Sequence, residues 1–87
     1  MSKDDASWVA AEHQAYGLIE AERQRQVKKW GNQSHTDGEW AIIALEEFGE
    51  WAKEVYDGRP DEKFEELVQV AAVAVAMLTD EVRKRSG

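Results

Sequence analysis

The sequence predicts an all-α chain, and three observations carry that reading. There is a single proline, strand-like β-branched runs are few, and the apolar residues recur at helical spacing. Of the six glycines, Gly31 and Gly58 fall where helices should stop. No internal repeat, low-complexity segment or linker interrupts the 87 residues, so residues 1–87 read as one domain.

The first helix is expected from near Asp5 or Ser7 to Trp30, about residues 5–30, carrying Trp8, Val9, Tyr16, Leu18, Ile19 and Val27. Gly31 follows as a left-handed cap, and Gly17 weakens the middle. A polar connection, Gly31-Asn32-Gln33-Ser34-His35, leads to Thr36-Asp37-Gly38-Glu39, which has the spacing of a capping box. The second helix, about 37–57, ends near Asp57-Gly58. Pro60 suits the first position of the third helix, about 60–84. Asp61 and Glu62 complement its dipole at the start, and Arg83, Lys84 and Arg85 do so at the end.

The third helix implies more than one copy of the chain. With residues about 100° apart, Phe64, Leu67, Val68, Ala71, Val75, Leu78 and Val82 share one face, which reads as a core stripe. Val70, Val73, Ala76 and Met77 lie on the other sides, so the helix is apolar all round from Val70 to Leu78. Three helices cannot surround such a segment. A short chain also buries too small a fraction of its surface to be robust alone. The expected architecture is therefore three main helices per protomer, completed into a four-helix-type bundle by a homodimer or homotetramer. Exposed small alanines are the alternative.

Composition narrows the partners. Eighteen acidic residues against eleven basic give a net charge of -7, which argues against phosphate-gripping contacts to duplex nucleic acid. It leaves room for nucleotides held through divalent cations. No apolar run approaches the roughly 20 residues needed to cross a bilayer, so no membrane partner is expected. The absence of cysteine, with no secretory signal ahead of the first helix, suggests a reducing, cytoplasmic setting.

On the second helix Trp40, Ala44, Leu45, Phe48, Trp51, Ala52 and Val55 form an apolar arc, with Glu46, Glu47, Glu50 and Glu54 as an acidic stripe beside it. Like charges three and four residues apart repel by a few tenths of a kcal/mol per pair, and a bound cation would reverse that. The third helix offers Glu62, Glu66 and Gln69 on the side continuous with Val73, Met77 and Asp80. If antiparallel packing brings Glu47 and Glu50 against Glu66 and Gln69, hard oxygen ligands converge in a way that suits Mg2+, with positions left for a triphosphate. A solvated acidic face is the alternative that spacing leaves open.

The run Leu45-Glu46-Glu47-Phe48-Gly49-Glu50, followed by Glu66-Leu67-Val68-Gln69, resembles the MazG-like all-α nucleoside triphosphate pyrophosphohydrolases, whose signature is ExxE, a gap, then ExxD. The segments from Glu22 to Gln26, Lys29 to His35 and Gln69 to Ala74 resemble the small single-domain branch of that group, so the likeness spans about residues 20 to 82. The resemblance implies Glu47, Glu50 and Glu66 as ligands of Mg2+, with Mn2+ as a substitute. It implies hydrolysis between the α and β phosphates to give a nucleoside monophosphate and pyrophosphate, in the manner of nucleotide-pool house-cleaning. Glu46, Glu47 and Glu50 form the catalytic set, Glu46 orienting the attacking water or standing outside the site. Gln69 replaces the motif Asp, so its carbonyl is the weaker fourth ligand, and Gln69→Asp is expected to tighten metal binding. Glu62 is a substitute, whereas Asp80 lies about 16 Å further along the helix.

Trp30, Asn32, Gln33 and His35 are placed to stack on and hydrogen-bond a base, and Lys29, Lys53 and Arg23 to meet phosphates. Each has an ordinary alternative: Trp30 as a staple of the first helix, His35 as an exposed loop residue, the cations as surface partners of nearby acids. Trp8, Trp40 and Trp51 are expected in the core and His13 on the surface. A non-catalytic nucleotide-binding or protein-interaction module that has lost turnover is the rival function. A phosphoribosyl-nucleotide or alarmone is the rival substrate.

Overall fold

Capping chemistry sets the helix starts. In the computed structural model, which describes residues 2–87, Asp5 N–H donates to Ser2 Oγ at 3.1 Å and Ser2 N–H to the Asp5 carboxylate at 3.4 Å. This reciprocal box opens helix α1 (Lys3–Trp30) a few residues earlier than the sequence suggested. Helix α2 (Asp37–Tyr56) opens on the expected box, with Glu39 N–H to Thr36 Oγ1 at 3.2 Å and Thr36 N–H to Glu39 Oε1 at 2.9 Å. Helix α3 (Pro60–Ser86) starts on its proline and runs slightly past Lys84. Gly31 has positive φ, 75°, but ψ is -179°, so it turns the chain in an extended form rather than as a left-handed cap. Among the described residues there is no strand, and no helix is long and apolar enough to cross a membrane.

Helix α3 is the shared element. It packs along α2 and, less extensively, along α1, whereas α1 and α2 do not pack against each other. The buried residues are Trp40 of α2 and Val70, Ala72 and Asp80 of α3; α1 buries none completely. The radius of gyration is 15.1 Å, against about 12 Å for a compact chain of this length.

Two expectations change. The stripe of Phe64, Leu67, Val75, Leu78 and Val82 is exposed, with Val68 and Ala71 half-buried, and the face that α3 turns to its own chain is the one carrying Val70, Val73, Met77 and Asp80. Helical period locates apolar faces but cannot say which of two meets its own chain. Trp8, expected in the core, is 71% exposed, within a stretch of α1, residues 3–17, that is exposed throughout. Trp40 is buried as expected, and Trp51 is half-buried.

Candidate metal and nucleotide site

The pairing of α2 with α3 brings three of the motif acids together. Glu47 and Glu50 from α2 and Glu66 from α3 each place a carboxylate oxygen so that all three lie within 4.8 Å of one another. Glu47 and Glu66 are half-buried, and each has one oxygen shielded from solvent with no hydrogen-bond partner. An orphaned buried carboxylate oxygen is costly unless something occupies it. Burial, then the charges of Glu50, Glu46 and Glu22, push the Glu47 carboxyl above its ordinary value. Burial, then Glu50, does the same to Glu66. Crowded, partly desolvated carboxylates of this kind are a donor set that could hold a small hard cation.

Not every candidate joins them. Glu46 is exposed on a neighbouring side of α2 and reaches the cluster through its charge on Glu47. Glu62 is exposed and outside the cluster. Gln69 adjoins the site, but its carbonyl already accepts from Gln26 Nε2 of α1 at 3.3 Å. Gln26 Nε2 also donates to Glu22 at 3.1 Å. Glu22 is held below the ordinary glutamate range by Arg25, 2.7 Å away, with help from Gln69 and Gln26. Glu22 and Gln26, which the sequence marks only as the ends of a segment of family likeness, thus form a polar seam between α1 and the site. Their four-residue spacing puts them on one side of α1, where both are half-buried.

Next to the cluster is a cavity of about 520 Å³ that begins at Glu47 and Gln69 and extends to Asp80 and Arg83. Trp30, Asn32 and Gln33 form the wall contributed by the α1–α2 connection, and Trp40, Ile43 and Val73 supply an apolar floor. Arg23 also lines it, donating to Gln26 Oε1 at 2.9 Å. Of the remaining candidates, Lys29 sits with its ammonium 4.6 Å from the centre of the Trp30 ring and is not on the cavity wall. Lys53 pairs with Asp57 at 3.1 Å and is likewise absent from the wall. The His35 ring packs edge-on against Trp40, with centroids 4.7 Å apart, and its Nε2 lies 3.2 Å from Gln33 Oε1, so it supports the wall from behind.

At the far end of the cavity is a buried acid. Asp80 Oδ2 accepts from Trp40 Nε1 at 2.9 Å, from the His35 backbone N–H at 3.1 Å and from Ser34 Oγ at 3.2 Å. Arg83 and Lys84 pair with the same carboxylate at 3.1 and 3.0 Å. The Trp40 bond foremost, then Lys84, His35 and Ser34, hold the Asp80 carboxyl far below the usual range despite its burial. In the sequence Asp80 shows only as a lone acid on an apolar helix face.

No family model, curated protein or solved structure matches the chain.

Proposed function

We propose that the chain is a divalent-metal-dependent nucleoside triphosphate pyrophosphohydrolase that cleaves between the α and β phosphates and works as a homo-oligomer. The observation that carries this reading is the convergence of Glu47, Glu50 and Glu66, two of them with orphaned buried oxygens, beside a cavity that Glu47 lines together with Trp30 and side-chain amides. The resemblance of the Leu45–Glu50 and Glu66–Gln69 segments to MazG-like enzymes supports the same reaction.

In this reading Glu47, Glu50 and Glu66 hold Mg2+ or Mn2+, with the Gln69 carbonyl beside them. When bound, the cation supplies charge neutralisation for the phosphates and acidifies the attacking water. Glu46 adds negative charge next to Glu47, which strengthens the site's attraction for the cation. The triphosphate lies at the carboxylate end, where Arg23 is the nearest cation on the wall. The base stacks on Trp30, and the Asn32 and Gln33 amides, each both donor and acceptor, face its edge. Water adds to the α phosphorus, the bond from that phosphorus to the α–β bridging oxygen breaks, pyrophosphate leaves with the electron pair, and the proton lost from the water passes to solvent. A cytoplasmic setting, where nucleotides and magnesium abound, fits this chemistry.

The oligomer rests on surface. The protomer exposes 6747 Å², whereas a folded monomer of 9.9 kDa is expected to expose about 5,200 Å². Phe48, Leu45, Phe64, Leu67 and Leu78 are all half or more exposed or close to it, and a second copy burying these faces turns three helices into a bundle of four or more.

The test is pyrophosphate release from a panel of canonical and modified nucleoside triphosphates, with Mg2+ or Mn2+ and with chelator. Metal-dependent release is expected. Silence from a folded sample across the panel sinks the reaction. It would favour the second reading, a binding module without turnover, for which the engagement of Gln69 by Gln26 is the specific support.

A further inference from the structure

Burying Asp80 is unfavourable unless its charge is fully compensated, and the compensation is unusual in where it comes from. Its side chain is 1% exposed. The donors come from three places: the α1–α2 connection through Ser34 Oγ and His35 N–H, α2 through Trp40 Nε1, and α3 through Arg83 and Lys84. The two cations then make a second set of bonds to the same connection, Arg83 to Ser34 Oγ at 3.1 Å and Lys84 to the His35 carbonyl. Gly31 N–H still donates to the Val27 carbonyl and the Thr36 carbonyl accepts from Trp40 N–H, but residues 32–35 make no backbone–backbone hydrogen bond, so this network is what ties that stretch to the bundle. Immediately before the tied residues are Asn32 and Gln33, on the cavity wall.

We propose that Asp80 is a positioning residue for the nucleoside end of the cavity: by anchoring Ser34 and His35 to α3 it fixes the Gly31–Gln33 stretch, with its amides, where a base has to be received. The inference rests on the nucleotide reading above. Asp80 lies at the end of the cavity away from the three carboxylates, so it acts on the base and sugar and not on the phosphates. A ligand that lacks a nucleoside is indifferent to it. Because Arg83 and Lys84 are engaged by Asp80, neither is a free cation for a terminal phosphate at this end, which keeps the triphosphate oriented toward Glu47.

The experiment compares the full chain with Asp80→Asn and Ser34→Ala, using a nucleoside triphosphate as substrate and inorganic triphosphate as competitor, in Mn2+. Val70→Ala, which loosens α3 without touching the connection, controls for general destabilisation. For Asp80→Asn the nucleotide KM is expected to rise about tenfold with kcat little changed, while the inhibition constant of inorganic triphosphate stays put. Ser34→Ala, which removes one exposed anchor, shifts KM in the same direction by less and answers the question if Asp80→Asn does not fold. An unchanged KM in the folded variants overturns the positioning role. So does a parallel loss for nucleotide and inorganic triphosphate, or an equal KM rise in Val70→Ala. If the wild-type chain binds without turnover, the nucleotide dissociation constant, read by quenching of tryptophan fluorescence, replaces KM. A wild-type chain that neither binds nor hydrolyses nucleotide overturns the function itself, and this inference falls with it.

Discussion

Glu47 on α2 and Glu66 on α3 bring carboxylate oxygens within 4.8 Å of each other, and each keeps one buried oxygen without a hydrogen-bond partner. Two such groups repel, so the metal-free protein carries a local cost that a cation relieves. For Glu47→Gln the expected result is a higher melting temperature without metal, together with loss of the rise that Mn2+ produces in the wild type. At a hundredfold excess over its dissociation constant a ligand contributes about 2.7 kcal/mol, which is the size of the effect to be lost. A Mn2+ response that survives in Glu47→Gln removes Glu47 from the site.

The same pair sets a pH dependence. Both carboxyls are raised, so the native state takes up protons more readily than the unfolded chain. The destabilisation is full above the raised values and is relieved as pH falls toward the ordinary glutamate range. Asp80 works in the opposite sense. Its carboxyl is lowered, so its stabilisation is complete above the ordinary aspartate range and is lost only in strong acid. Thermal melts in chelator should therefore show stability increasing as the pH is lowered from neutral toward the ordinary glutamate range. With saturating Mn2+ the trend should reverse, because protons then compete with the cation. A flat profile in chelator would argue that the cluster is fully solvated.

Leu78 is 64% exposed and Phe64 55% exposed on one stripe of α3. Light scattering at micromolar concentration is expected to give at least a dimer mass, and Leu78→Arg to reduce it to the monomer with a lower melting temperature. A clean wild-type monomer would end the oligomer proposal.

Gly31 combines φ 75° with ψ -179°, a region open essentially to glycine alone. A Cβ there would meet no atom within 4 Å, so any penalty is backbone strain and not a clash. Gly31→Ala should cost about 1–3 kcal/mol in urea titration. A neutral result would mean that the connection relaxes freely, and the rigidity assigned to the Asn32–Gln33 wall would go with it.

Much of this molecule is decided locally, and the sequence by itself determined that part. Thr36 and Glu39 cap α2, Pro60 opens α3, and the three helices and their connections follow from bonds spanning a few residues. The spacing of Glu47, Glu50 and Glu66 was equally legible, since carboxylates three residues apart on one helix need only a facing acid to make a cluster. Tertiary structure decided which apolar face of α3 meets its own chain. It left Phe64, Leu67 and Leu78 outside and buried Val70 and Asp80, because two apolar faces of one helix look alike until a neighbour chooses between them. It decided that Gln69 faces Gln26 and Glu22 of α1, because helical period does not say where one helix docks on another. It also made Asp80, which the spacing had only set apart from the carboxylate cluster, into the anchor of the cavity wall: a buried carboxylate is stable only where donors converge, and the convergence of Ser34, His35 and Trp40 with Arg83 and Lys84 on Asp80 exists only once the chain has folded.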